Sequence, residues 1–297
     1  MDFSVYQKDA AQTDRVPAVA DDGGLSLIVP MLGLAGETGE LLSEYKKHLR
    51  DGDAHRLFKD RVAEELGDLL WYISNVATKF DLDLNAIASD NLEKVKGRWL
   101  PIASAPLSFD AMLEEGERLP RRFEVELTQI VEDNRQSVRV AIDGKPFGAE
   151  LTDNAHDPDG YRFHDAFHFA YAAVLGWSPV TRSLLRRKRK SVPKLDEVED
   201  GGRAAVIEEG VAALIFDYAR RHFWLDGVSA LDYQLLRTIG AMVSHLEVRE
   251  CTTAEWEQAI LQGFAVWRDV VSNEGGRLAV DLDARRICYV GPPVHSN

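Results

Sequence analysis

The chain has 297 residues, 45% hydrophobic and 28% charged, an ordinary globular composition with room for about two domains. With 35 Lys+Arg against 49 Asp+Glu the formal charge is −14, which excludes broad non-specific binding to nucleic acid or an anionic membrane and suits a protein that collects divalent cations. Two cysteines, Cys251 and Cys288, make neither a disulfide framework nor a thiolate zinc site. The N-terminus shows no signal-peptide pattern and no run is apolar enough to span a membrane, so the expectation is a soluble cytoplasmic protein.

In chain order, the first element is a helix from Phe3 to about Ala20, followed by a break at Asp22-Gly23-Gly24. A second helix runs from about Ser26 to Leu49, with Pro30 a point of interruption, and ends at Arg50-Asp51-Gly52-Asp53. A third spans about Leu57 to Phe80 and a fourth about Leu84 to Arg98. Trp99–Ser108, with Pro101 and Pro106, reads as a linker. Beyond it the period changes from helical to two-residue: Arg122–Val131 and Ser137–Ile142 alternate as half-buried strands around an Asp143-Gly144 turn. A helix over about Tyr161–Leu175 precedes the basic run 182–190 and the acidic run 196–200. Further helices are expected over about 203–223, 229–247 and 253–273, and a β-hairpin over 277–291 that turns near Asp283-Ala284. The fold class is therefore mainly α: an all-α N-terminal domain, residues 1–104, and a C-terminal α+β accessory domain, residues 105–297.

The informative stretch holds Glu37-x-x-Glu40 on the second helix and Glu65-x-x-Asp68 on the third. Leu34, Leu41, Tyr45 and Leu49 form an apolar stripe on one helix. Val62, Leu66, Leu69, Ile73, Val76 and Phe80 form one on the other. Each carboxylate pair lies about 60° and 120° to one side of its stripe. Antiparallel packing of the stripes brings the four carboxylates together along one edge of the seam. So many like charges raise one another's pKa, and hard cations such as Mg²⁺ are the economical way to keep them ionised. The other reading of the same residues is a pair of solvated acidic faces.

AGETGELLSE and EELGDLLWYISN, with Tyr6-Gln7 near the start, resemble the MazG family of nucleoside triphosphate pyrophosphohydrolases over about residues 1–100. The resemblance implies a helical bundle of four helices, with Glu37, Glu40, Glu65 and Asp68 as Mg²⁺ ligands and Mn²⁺ as a possible substitute. It implies cleavage of an NTP or dNTP between the α- and β-phosphates to a monophosphate and pyrophosphate. Glu44, one turn beyond Glu40, is a candidate base or further metal contact, and Glu64 a surface residue. Asn91, Lys94 and Arg98 share a face of the fourth helix and resemble the family's phosphate-binding stretch. Lys47 is a weaker phosphate candidate. Tyr72 is a candidate border of the base pocket, and Trp71 is expected to pack against another helix or a second subunit. The family's assemblies make a homodimer the expected state. Alternatives are a pyrophosphohydrolase of modified nucleotides or phosphoribosyl-type compounds, and a nucleotide-sensing module with little turnover.

In the C-terminal domain, Asp165-x-x-His168 and Glu208 suggest a diverged second unit with its own metal site, set against a bundle whose polar residues satisfy one another. The favoured reading is the satisfied bundle. Arg186, Arg187, Lys188, Arg189 and Lys190 read as a solvated loop or a contact for a phosphate-bearing ligand, and Cys251 and Cys288 as a buried and a strand residue.

Overall fold

The computed structural model describes residues 1–15, 24–99, 108–132 and 135–294. The expected continuation of the first helix beyond residue 15, the Asp22-Gly23 break and nearly all of the proline-containing linker lie outside the described residues. The chain divides into two compact units, Met1–Lys96 and Gly97–Asn297. The first is helical and the second is α+β.

Helix α1 (Phe3–Ala11) starts where the Asp2 carboxylate accepts the Val5 N–H at 2.8 Å, a side-chain N-cap. Helix α2 (Leu25–Asp51) follows Gly24, whose φ of 85° suits a residue without a β-carbon. Pro30 stands inside this helix, which continues through it rather than breaking there. Helix α3 (Phe58–Lys79) packs along α2 and against α1. Gln7 ties α1 to the turn after α3. Its amide nitrogen donates to Leu82 O at 2.8 Å and its amide oxygen accepts the Leu84 N–H at 2.8 Å. That turn leads into α4 (Leu84–Trp99), capped by Asp83 through the Asn85 N–H at 2.7 Å.

The apolar stripes read from the sequence are only half covered. Along α2 the inward face carries Gly33, Leu34, Glu37, Leu41, Glu44 and His48, all buried or half-buried, while Leu42, Tyr45 and Leu49 are exposed. Along α3 the inward face runs through Val62, Glu65, Leu69 and Tyr72, and Leu66, Ile73 and Phe80 face solvent. The seam is thus rotated from its expected position, toward the carboxylates. Within residues 1–96 the fully buried hydrophobics among the described residues are Ala10, Ala77 and Leu84.

The second unit has a large core. Strands β1 (Arg122–Glu132), β2 (Arg135–Ile142), β3 (Lys145–Leu151), β4 (Gly275–Asp281) and β5 (Arg286–Gly291) form one antiparallel sheet in the order β3-β2-β1-β4-β5. Val125, Leu127, Val138, Val140, Leu278 and Val280 point to its covered face. Helix α5 (Asp165–Leu175) is buried at every residue, which explains its nearly all-apolar sequence, and Gly176 at φ 67° ends it. Helices α6 (Pro179–Leu184), α7 (Pro193–Val198), α8 (Gly202–Arg220), α9 (Tyr233–Met242) and α10 (Thr253–Ser272) follow. A reciprocal cap between Thr252 and Glu255 starts α10. Gly263 lets α10 meet α5 closely, since a β-carbon there would sit 3.2 Å from that of Ala170.

Neither expectation for the basic run holds for Arg189. Arg189 is fully buried, paired with Asp200 at 2.8 Å and Glu247 at 2.7 Å. Arg182 is likewise buried on Asp110 at 2.6 Å. The basic and acidic runs are thus partly one internal ion-pair network. Cys251 is buried and Cys288 lies on β5, as expected.

Candidate functional site

Across the α2–α3 seam, Glu37, Glu65 and Asp68 bring one carboxylate oxygen each to within 4.8 Å of one another. Glu37 and Glu65 are half-buried because the inward faces carry them, and Asp68, one turn along α3, is exposed. Desolvation raises the pKa of Glu65 above its ordinary value, and a hydrogen bond with Glu37 and the charges of Glu37, Glu40 and Asp68 push the same way. Glu40 is exposed and outside the close group, although its charge reaches Glu65. Burial and the Asp68 charge together raise the pKa of Tyr6, so α1 also borders the cluster.

Glu44 is outside the close group as well. Its buried carboxylate is paired with Lys47 and with His55 Nε2, the latter at 2.9 Å. These partners, led by the Lys47 hydrogen bond, hold its pKa below the ordinary glutamate value. Lys47 is therefore engaged within its own helix. His55 was not singled out from the sequence. A lone histidine after a Gly-Asp turn carries no spacing signal, and only folding places it on Glu44.

Tyr72 lies across the seam with its ring against the backbone of Gly33, where a β-carbon would stand 2.2 Å from the ring. Trp71 stacks edge-on to Tyr72 at 4.9 Å and donates its indole N–H to Thr13 Oγ1 at 2.8 Å, so it packs within the first unit. Glu64 is a surface residue on Arg61, as expected. Asn91 and Lys94 are exposed on α4. Arg98 groups with the second unit, where its guanidinium lies 4.9 Å over the Tyr233 ring.

The donor set of the first unit is oxygen only. Glu65, half-buried and holding its proton more tightly than an ordinary glutamate among three other carboxylates, marks a site short of positive charge, the condition that a hard divalent cation relieves. The residues fit such an ion.

In the second unit, His168 donates Nδ1–H to Glu208 Oε1 at 2.8 Å, and Asp165 is buried beside His164. The group of potential ligand atoms within 4.8 Å is His164, His168 and Glu209, so it shares only His168 with the trio singled out from the sequence.

The family model described as the MazG nucleotide pyrophosphohydrolase domain matches residues 28–99, and that of the MazG C-terminal domain matches residues 104–293. The chain is also similar to the Gene 37 protein of Mycobacterium phage L5, at 35% identity over 103 residues, covering 33% of this chain and 89% of that protein. No solved structure matches the chain.

Proposed function

The chain belongs to the MazG nucleotide pyrophosphohydrolase family and is a hydrolase acting on nucleotide pyrophosphate bonds, and on that premise we propose that it converts an NTP or dNTP to the monophosphate and pyrophosphate with Mg²⁺. The observation that carries this reading is the convergence of Glu37, Glu65 and Asp68, with Glu40 beside them, on two packed helices. Glu37, Glu40, Glu65 and Asp68 hold the ion, and Mn²⁺ serves in its place because both accept oxygen ligands. When bound, the ion neutralises phosphate charge and makes water a better nucleophile.

The chain's own groups do the rest. Asn91 and Lys94, exposed on α4, receive the phosphates. Lys47 keeps donors to spare beyond its bond to Glu44, since an ammonium carries three. Glu44 takes up protons less readily than an ordinary glutamate, so it fixes Lys47 and His55 in place. Tyr72 and Gly33 set one wall of the nucleotide site. The exposed Leu42, Tyr45 and Leu49 on α2 support a homodimer that covers them. In this division of labour the second unit adjusts substrate choice or regulation.

The test is pyrophosphate release across a panel of ribo- and deoxyribonucleoside triphosphates, with Mg²⁺ and with chelator. Turnover should require the ion, and Glu40→Gln and Asp68→Asn should each abolish it with the helical content intact. Near-wild-type turnover of either variant at saturating Mg²⁺ removes that residue from the ligand set. Full turnover in chelator overturns the reading.

A further inference from the structure

We propose that His164, His168 and Glu209 form a second metal centre, in the α5–α8 region, for a first-row transition ion such as Zn²⁺. His164 immediately precedes α5, His168 lies one turn later, and α8 presents Glu208 to His168 and Glu209 to both histidines. His164 Nδ1 lies 2.8 Å from the Tyr161 carbonyl oxygen, and only a protonated nitrogen suits a carbonyl. His168 Nδ1 faces Glu208 Oε1 at 2.8 Å in the same way. Glu208 is fixed for that purpose. It is fully buried, Oε1 also accepts the Ser178 hydroxyl at 2.6 Å, and Oε2 accepts the Val180 N–H at 2.8 Å.

With both Nδ1 atoms donating, each Nε2 faces Glu209, and in the neutral form that metal binding selects it would offer the ion its lone pair. Oriented histidines backed by a carboxylate and a carbonyl are the usual support of metal-ligating imidazoles. The three ligand atoms fall within 4.8 Å of one another, close enough for one ion to draw them together. His168 Nε2 is the second, independent observation. It is buried, in a residue 1% exposed, and has no hydrogen-bond partner. Glu209 Oε1 stands 3.4 Å from it, too long for a charge-assisted hydrogen bond, which runs at about 2.7–2.9 Å. His164 Nε2 is 3.8 Å from Glu209 Oε2 and 3.7 Å from Asp165 Oδ1. Two imidazoles and a carboxylate favour zinc and its neighbours over Mg²⁺, so this centre differs in kind from the all-oxygen cluster on α2 and α3. The Glu209 side chain is 44% exposed, which leaves a route for the ion and an open coordination position.

The rival state is a metal-free imidazolium at His168 between Glu208 and Glu209. The experiment titrates Zn²⁺ into the metal-stripped full chain in excess Mg²⁺, which occupies the oxygen site, and repeats it with Co²⁺ read by visible absorption. The expected result is one tightly held equivalent of Zn²⁺ and cobalt d–d bands with nitrogen ligation. His164→Asn and Glu209→Gln should each weaken binding at least about tenfold, Glu208→Gln should weaken it about 10–100-fold through His168, and Asp68→Asn should leave it in place. Glu209 is half exposed, so its variant keeps the test valid if the histidine variant folds poorly. Absence of a retained equivalent, retention unchanged in both ligand variants, or loss with Asp68→Asn alone overturns the proposal.

Discussion

Glu65 on α3 and Glu37 on α2 bring carboxylate oxygens to within 4.8 Å of one another, and the Glu65 pKa stands above the ordinary glutamate value. A carboxyl with a raised folded-state pKa stabilises the fold below its unfolded pKa. That contribution is lost as pH rises through the folded value. Glu65→Gln should therefore raise the thermal midpoint of the metal-free chain near pH 8, with the gain shrinking toward about pH 5. Pyrophosphate release should be lost at every pH. A variant less stable than the parent near pH 8 would contradict the electrostatic account of the seam.

The approach of Tyr72 to Gly33 makes a steric prediction in the same seam. Gly33→Ala places a methyl group where the ring now lies, and overpacking of this kind costs about 1–3 kcal/mol. Tyr72→Leu in the same chain should recover part of that loss, because the obstructing ring is gone. A double-mutant cycle on thermal unfolding measures the coupling. Additive effects would mean that the ring does not rest on Gly33.

Periodicity marks Glu37, Glu40, Glu65 and Asp68 only as two matched acidic pairs, and the resemblance of their flanks to the MazG family separates them from solvated faces; of the four, the fold draws Glu37, Glu65 and Asp68 together. The direction of the seam was not legible. α2 carries two overlapping apolar stripes, one through Leu34 and Leu41 and one through Leu42, Tyr45 and Leu49. Hydrophobicity cannot say which stripe its own chain covers. In the second unit β3 escaped notice because Pro146 and Gly148 weaken the strand pattern of a seven-residue edge. Arg189 looked like surface because burial of a charge depends on Asp200 and Glu247, which folding brings to it.

The uncovered stripe carries its own prediction. Leu42, Tyr45 and Leu49 are 64%, 52% and 68% exposed and share one face of α2 at spacings of three and four. The described residues of the first unit bury little apolar surface, so a partner copy over this face, as proposed above, would supply burial that the single chain lacks. If the proposed homodimer forms through this face, Leu42→Glu with Leu49→Glu should convert it to monomer by light scattering after size exclusion, lower its thermal midpoint and reduce turnover. A double variant that keeps the parent's mass and stability would place the interface elsewhere.

The second unit should fail differently, through charge rather than apolar area. Arg189 holds two carboxylates at once and its own backbone N–H donates to Asp200 Oδ2 at 2.7 Å. Burial pushes the Glu247 pKa up while the guanidinium pulls it down, so removal of the arginine leaves desolvation unopposed. Arg189→Ala should destabilise the chain by about 3–5 kcal/mol, the usual result of leaving a buried charge without its partner. Arg189→Met with Asp200→Asn and Glu247→Gln should recover much of that loss, since no uncompensated charge remains. Chemical denaturation followed by tryptophan fluorescence reads the second unit through the buried Trp177, Trp256 and Trp267. A single-alanine variant with unchanged midpoint would show that the network is tolerated by the core rather than required by it.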